Sequence, residues 1–275
     1  MPTSDTSEKG LETLIFEALT AGAAPIRGSR EDSAAYAAPG YVPGNPADYD
    51  RAHAVDWMKL HTFLLRTQPA LVKTLGLGED GPRRQQFLAR LQGEISKRGT
   101  IDVLRRGIKH GPASLDLFYG TPSPGNKKAA DLFARNLFSL TRQLRYSLDQ
   151  TQRSLDLCLF INGLPIATFE LKNRLTRQTV DDAVQQYKRD RDPRELLFQF
   201  GRCVVHLAVD ELEVRMCTHL QGNDSWFLPL NKGWNDGAGN PPNPDGLRTA
   251  YLWQELLTRE SLTDILENYA QVVEE

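Results

Sequence analysis

The stretch from Ser154 to Lys172 leaves the chain the least freedom. Leu155, Leu157, Leu159 and Ile161 alternate with Asp156, Cys158 and Phe160, the period-two pattern of a strand with two distinct faces. Asn162-Gly163 follows, a pair that tolerates the positive φ angles of a two-residue hairpin turn. Leu164 to Leu171 then returns as a second strand through Ile166, Thr168 and Phe169. The pattern predicts an antiparallel hairpin.

That hairpin arranges its polar residues. Glu170 and Lys172 stand two apart, so their side chains leave one face of the sheet. Pairing outward from the turn puts Asp156 about opposite Phe169, and a bulge or small register offset would bring its carboxylate beside Glu170. Two adjacent carboxylates repel unless a cation lies between them. Magnesium suits such an oxygen-rich, partly open environment, and the Leu171 main-chain carbonyl is a further candidate ligand. A bound ion would acidify a water and neutralise a scissile phosphate. Lys172 would orient that water and stabilise charge on phosphate oxygens. The same spacing also describes an exposed cross-strand ion pair, worth only about 0–1 kcal/mol. Against that reading, Asp156 and Glu170 interrupt strongly apolar runs, where a lone carboxylate is costly.

Around the hairpin the chain reads as α/β: a central mixed sheet flanked by helices, with a helical insertion in the N-terminal third. A helix is expected over 5–22, opened by Ser7 and Glu8 and ended by Gly22. Ala34 to Tyr49 is rich in Pro, Gly and Ala and reads as a connecting loop. Residues 50–98 return to helical periodicity through Leu60, Phe63, Leu64, Phe87, Leu88 and Leu91, as an insert joined at Arg98 and Gly99. A core of about 99–220 is expected to hold strands at Leu115–Tyr119, 204–209 and 214–217, and helices at 129–140 and 181–191. A Gly/Pro/Asn-rich loop and a helix from Tyr251 to Glu267 fill 221–275. His206, inside an apolar strand, reads as a satisfied core residue, and Trp226 and Trp253 as packing anchors.

A chain of 275 residues with 40% hydrophobic side chains buries a sizeable core without disulfides. Cys158, Cys203 and Cys217 are too scattered for a disulfide framework or zinc knuckle, which points to a reducing cytoplasm. Neither a signal peptide nor a stretch of ~20 apolar residues is present in the sequence. The net charge of −2 provides no bulk basic field, although an acidic metal site would offset local basic patches. Lys188, Arg189, Arg191 and Arg194 form one such patch, and Arg105, Arg106, Lys109 and His110 another; solvated helix faces explain both equally well. No phosphate-binding loop of the G-x-x-x-x-G-K-[ST] type occurs.

The run Arg153-Ser-Leu-Asp-Leu-Cys-Leu-Phe-Ile-Asn-Gly-Leu-Pro-Ile-Ala-Thr-Phe-Glu-Leu-Lys-Asn173 resembles the nuclease region of type I restriction endonuclease R subunits, which carry a PD-(D/E)XK core near their N-terminus. The likeness continues through Gln185–Pro193, Phe227–Gly233 and Gly239–Pro244, and covers about 98–260. It implies a restriction-endonuclease-like fold, hydrolysis of double-stranded DNA, Mg2+ as cofactor, Asp156 and Glu170 as metal ligands and Lys172 as the catalytic lysine. Leu155 stands where the motif has proline. The family's Q-x-x-x-Y motif is absent as such, since Ala183 lies four before Tyr187 and Asp190 four after Gln186. Gln186 and Tyr187, with Lys188, Arg189 and Arg191, are therefore expected near the DNA backbone as a reshaped version, ordinary helix-surface roles being the alternative. An acidic residue of the first helix, Glu8 or Glu12, can approach the metal in related folds, although the helix dipole explains both more simply. The resemblance further implies partner methyltransferase (M) and specificity (S) subunits and an ATP-driven translocase that this chain lacks, so it is expected to be an N-terminal fragment or a stand-alone protein. A DNA- or subunit-docking module with little nuclease activity is the second expectation.

Overall fold

In the computed structural model, which describes residues 8–21 and 40–272, the hairpin forms where the alternation places it. Among the described residues seven strands make one mixed sheet whose spatial order follows the chain: β1 (Val42–Pro43), β2 (Phe138–Arg145), β3 (Ser154–Ile161), β4 (Leu164–Leu171), β5 (Val205–Val209), β6 (Val214–Cys217) and β7 (Leu228–Pro229). β1–β2 and β4–β5 pair parallel; the other neighbours are antiparallel. Helices cover both faces: α1 (Glu8–Thr20), α2 (Trp57–Thr67), α3 (Pro69–Leu75), α4 (Pro82–Arg106), α5 (Lys127–Ala134), α6 (Val180–Asp190) and α7 (Arg259–Asp264). Ser7, Gly22 and the start of the loop at Ala34 lie outside the described residues.

The turn residues Asn162 and Gly163 have φ of 51° and 81°, both positive as a tight hairpin requires. Gly163 is fixed twice over, because a Cβ there would lie 2.3 Å from the Asp56 carbonyl oxygen and 2.7 Å from the Leu60 amide. Asn162 is fully buried and its side chain stitches the turn to three segments. Its Oδ1 accepts from the Leu137 amide at 2.6 Å, and its Nδ2 donates to the Leu117 carbonyl and to Asn136 Oδ1. Beyond the turn the register slips. Phe160 faces Pro165 but Leu159 faces Ala167, so β4 carries one extra residue. After the slip Leu157 faces Phe169, and Asp156 comes level with Glu170.

Two apolar clusters sandwich the sheet. Leu157, Leu159, Ile161, Phe169 and Leu171 pack with Leu11 and Ile15 of α1, with Leu60, Phe63, Phe87 and Leu91, and with the C-terminal helices. Cys158, Phe160 and Ala208 on the other face pack with Ala183, Val184 and Tyr187 of α6. Residues of the helices within 57–106 belong to the main core. The helical run of α4 is interrupted at Gly99, whose φ of 78° and ψ of 158° are not helical, so a break falls where the junction at Arg98 and Gly99 was expected.

Three local expectations need correction. Residues 138–140, expected to end a helix, open β2; α5 stops at Ala134 and Phe138, Leu140 and Leu144 are buried along the strand. The strand expected at Leu115–Tyr119 lies at Ala113–Leu115 instead, in a small ribbon with Ile108–His110. Trp226 is 76% exposed and anchors nothing; its neighbour Phe227 packs on Tyr187. Trp253 is buried, as are all three free cysteines. No helix among the described residues is long and apolar enough to cross a membrane.

Candidate active site on the hairpin

The register slip and the crossover from β4 through α6 to β5 converge on one end of the hairpin. Asp156, near the start of β3, is half-buried and turns Oδ2 toward the β4 backbone, where the Leu171 amide donates to it at 2.8 Å. The contact between Asp156 and Leu171 is therefore made through the amide. Oδ1 receives the Gln143 side-chain amide at 3.4 Å. Lys172, directly after β4, is buried, and its main-chain amide donates to the Val209 carbonyl at 2.9 Å.

Glu170 is the anomaly. It is 0% exposed, and its Oε1 accepts from Arg191 Nε at 2.6 Å. Its Oε2 is equally buried and has no hydrogen-bond partner. Burial pushes its carboxyl above the ordinary carboxylate range; Arg191 and Lys172 oppose that rise and Asp156 adds to it. Two carboxyl groups near each other, one with a buried oxygen that lacks a hydrogen-bond partner, form an arrangement that a cation would relieve. No group of three or more acidic, histidine or cysteine side chains able to hold a metal occurs among the described residues. Two carboxylates and a main-chain oxygen remain a sufficient set for magnesium, which keeps several of its waters.

Arg191, expected near the DNA backbone, is 5% exposed and lies under the sheet end. It donates Nη1 to Tyr146 Oη at 3.2 Å and Nη2 to the Ser154 carbonyl at 2.8 Å, with its guanidinium 5.5 Å from the centre of the Tyr146 ring. Burial works against its charge, but Glu170 more than offsets this and holds the guanidinium above its ordinary range. Tyr187 is likewise a core residue and not a surface one. Its hydroxyl shares a 2.8 Å hydrogen bond with Thr168, which also meets His206 Nδ1 at 2.7 Å. His206 is buried, and that burial pushes its imidazole down to about 3. Of the α6 residues expected to meet DNA, Arg189 is exposed, and Gln186 and Lys188 partly so. Arg194 is exposed and paired with Asp192. In the second basic patch Arg105 binds the Leu266 and Ala270 carbonyls and Arg106 pairs with Asp102.

The first helix reaches the same end of the sheet. Glu12 is buried with both oxygens engaged: Oε1 by Arg142 Nε at 2.5 Å and Oε2 by Gln143 Nε2 at 2.7 Å. Sequence spacing gave no sign of Gln143 or of the Arg191–Glu170 pair, because both join distant segments. The alternation through Phe138, Leu140 and Leu144 does carry the signal that would have placed Gln143 on a strand.

None of the curated proteins matches the chain. Residues 123–225, which hold β2 to β6, α6 and all of Asp156, Glu170, Lys172 and Arg191, match the family model described as Type I restriction enzyme R protein N terminus.

Proposed function

We propose that the chain is the DNA-cleaving part of a type I restriction enzyme R subunit, with a PD-(D/E)XK core that hydrolyses phosphodiesters of double-stranded DNA with Mg2+. One observation carries this reading: the fully buried Glu170 keeps an unpartnered oxygen beside Asp156, with Lys172 two residues further on. Asp156 and Glu170 would hold the ion, with the Leu171 carbonyl as third oxygen. When bound, the ion supplies an acidified water and neutralises phosphate charge. Arg191 fixes one Glu170 oxygen and so aims the other. The Leu171 amide fixes Asp156 in the same way. Lys172 would orient the attacking water and stabilise charge on the phosphate oxygens. The remaining subunits of the complex, for modification and sequence recognition, would be its partners, and ATP would act only through a translocase segment.

The Arg191 contact also favours a second reading, a docking module with a silent site, since it already satisfies half of Glu170. A plasmid-nicking assay with Mg2+ on the assembled complex separates the two. Lys172→Ala is expected to abolish cleavage, a loss on the order of 100-fold or more, while leaving assembly and DNA binding intact. Unchanged nicking by Lys172→Ala would sink the nuclease assignment.

A further inference from the structure

Gln143 sits in β2 with φ of 49°, a left-handed conformation that is rare for a residue with a side chain and costs about 1–3 kcal/mol. It lies opposite Asp156, between the pairs Arg142–Leu157 and Leu144–Leu155. The strands change face here: Leu140 and Leu157 pack in the first apolar cluster, whereas Leu144 and Leu155, just beyond, pack in the second. A bend alone would be met best by glycine. This glutamine is solvent-exposed, so packing does not explain it either.

Its amide does. Nε2 donates to Glu12 Oε2 at 2.7 Å and to Asp156 Oδ1 at 3.4 Å, while Oε1 accepts from Ser154 Oγ at 3.0 Å. Carboxylates only accept, so the NH2 group must be the end that points between the two acids. Ser154 in turn gives its carbonyl to Arg191, the partner of Glu170. Asp156 is thereby held at both oxygens, by Gln143 on one side and the Leu171 amide on the other.

We propose that Gln143 is a positioning residue for the metal site: its side-chain amide fixes the Asp156 carboxylate and keeps Glu12, already clasped by Arg142, from competing for the ion. The inference rests on the nuclease reading above. Partners that orient a metal ligand from behind typically contribute 10–100-fold to metal affinity.

The test is Gln143→Gly, which keeps the bent backbone at no steric cost and deletes the side chain with its contacts to Glu12, Asp156 and Ser154. Mn2+ binding to the chain is measured by calorimetry beside thermal unfolding in chelator. Expected is a Tm equal to or above that of the wild type, with Mn2+ affinity down by roughly tenfold or more. Wild-type affinity in Gln143→Gly overturns the proposal and leaves the nuclease reading standing. A Tm that falls together with affinity overturns it in favour of a purely structural role. Failure of the wild-type chain to bind Mn2+ removes the metal reading itself, and the proposal with it.

Discussion

Arg191→Met is the most informative perturbation of the site outside its acids. The substitution retains much of the apolar volume and removes the hydrogen bond to Glu170, the 2.6 Å contact from Nε, which is its one such partner among the described residues. It also deletes the contacts to Tyr146 Oη and the Ser154 carbonyl. For an exposed pair the loss would be about 0–1 kcal/mol. Here the carboxylate is 0% and the guanidinium 5% exposed, so the buried acid is left uncompensated and the cost rises to about 3–5 kcal/mol. Much of that cost belongs to the stranded charge and not to the bond itself. Neutralising the acid as well, in Glu170→Gln/Arg191→Met, should therefore recover at least half of it. Urea denaturation at pH 7 in chelator, followed by circular dichroism across the two single variants and the double variant, measures both quantities. A single-variant loss within about 0.5 kcal/mol of zero, as for an ordinary surface change, would refute the burial argument. Strict additivity of the two substitutions would refute the coupling.

Tyr187→Phe should cost about 1–2 kcal/mol through the lost bond to Thr168 while leaving duplex affinity in a fluorescence titration unchanged; weaker DNA binding at unaltered stability would mean that the ring does reach the duplex. His206 supplies a pH dependence. Its folded value near 3 lies below the ordinary ~6.5, so its neutral form is what the fold requires; that contribution is complete above pH 6.5 and declines as pH falls toward 3. At pH 5 the wild type should have lost about 2 kcal/mol that His206→Gln, which cannot titrate, retains. Parallel urea curves for both proteins between pH 7 and 5 check this, and identical pH slopes would exclude His206 as the source.

Some of this was legible in the sequence because it is local. Alternation plus Asn-Gly specifies a hairpin whose turn needs positive φ at two successive positions, and Asn162 and Gly163 adopt them. The convergence of Asp156 and Glu170 was only half legible. The alternation sets their face, but their level depends on a one-residue slip between Leu159 and Phe160 that no residue type announces. β2 was hidden for another reason: the helical pattern of α5 runs up to it, and only Asn136, buried and bonded to Tyr119 and Asn162, marks the break. Arg191 was misplaced because a charge run reads alike whether its members face water or a buried acid. Its partner lies 21 residues away, across the crossover, and only the fold joins them.

That pairing changes what the site offers a substrate. Asp156 and Glu170 carry two negative charges when ionised, and Lys172 and Arg191 carry two positive ones, so this end of the hairpin is balanced before any ion enters. Glu12 and Arg142 cancel beside it. An ion drawn in by the orphaned Glu170 oxygen therefore would not merely repair an excess of acid; it would leave the pocket with about two net positive charges. A phosphodiester carries one negative charge, and its hydrolysis builds up more on the way to the transition state. On the proposed reading, Arg191 is what converts a carboxylate pair that would only trap a cation into a pocket that, once loaded, favours the reacting phosphate over the resting one.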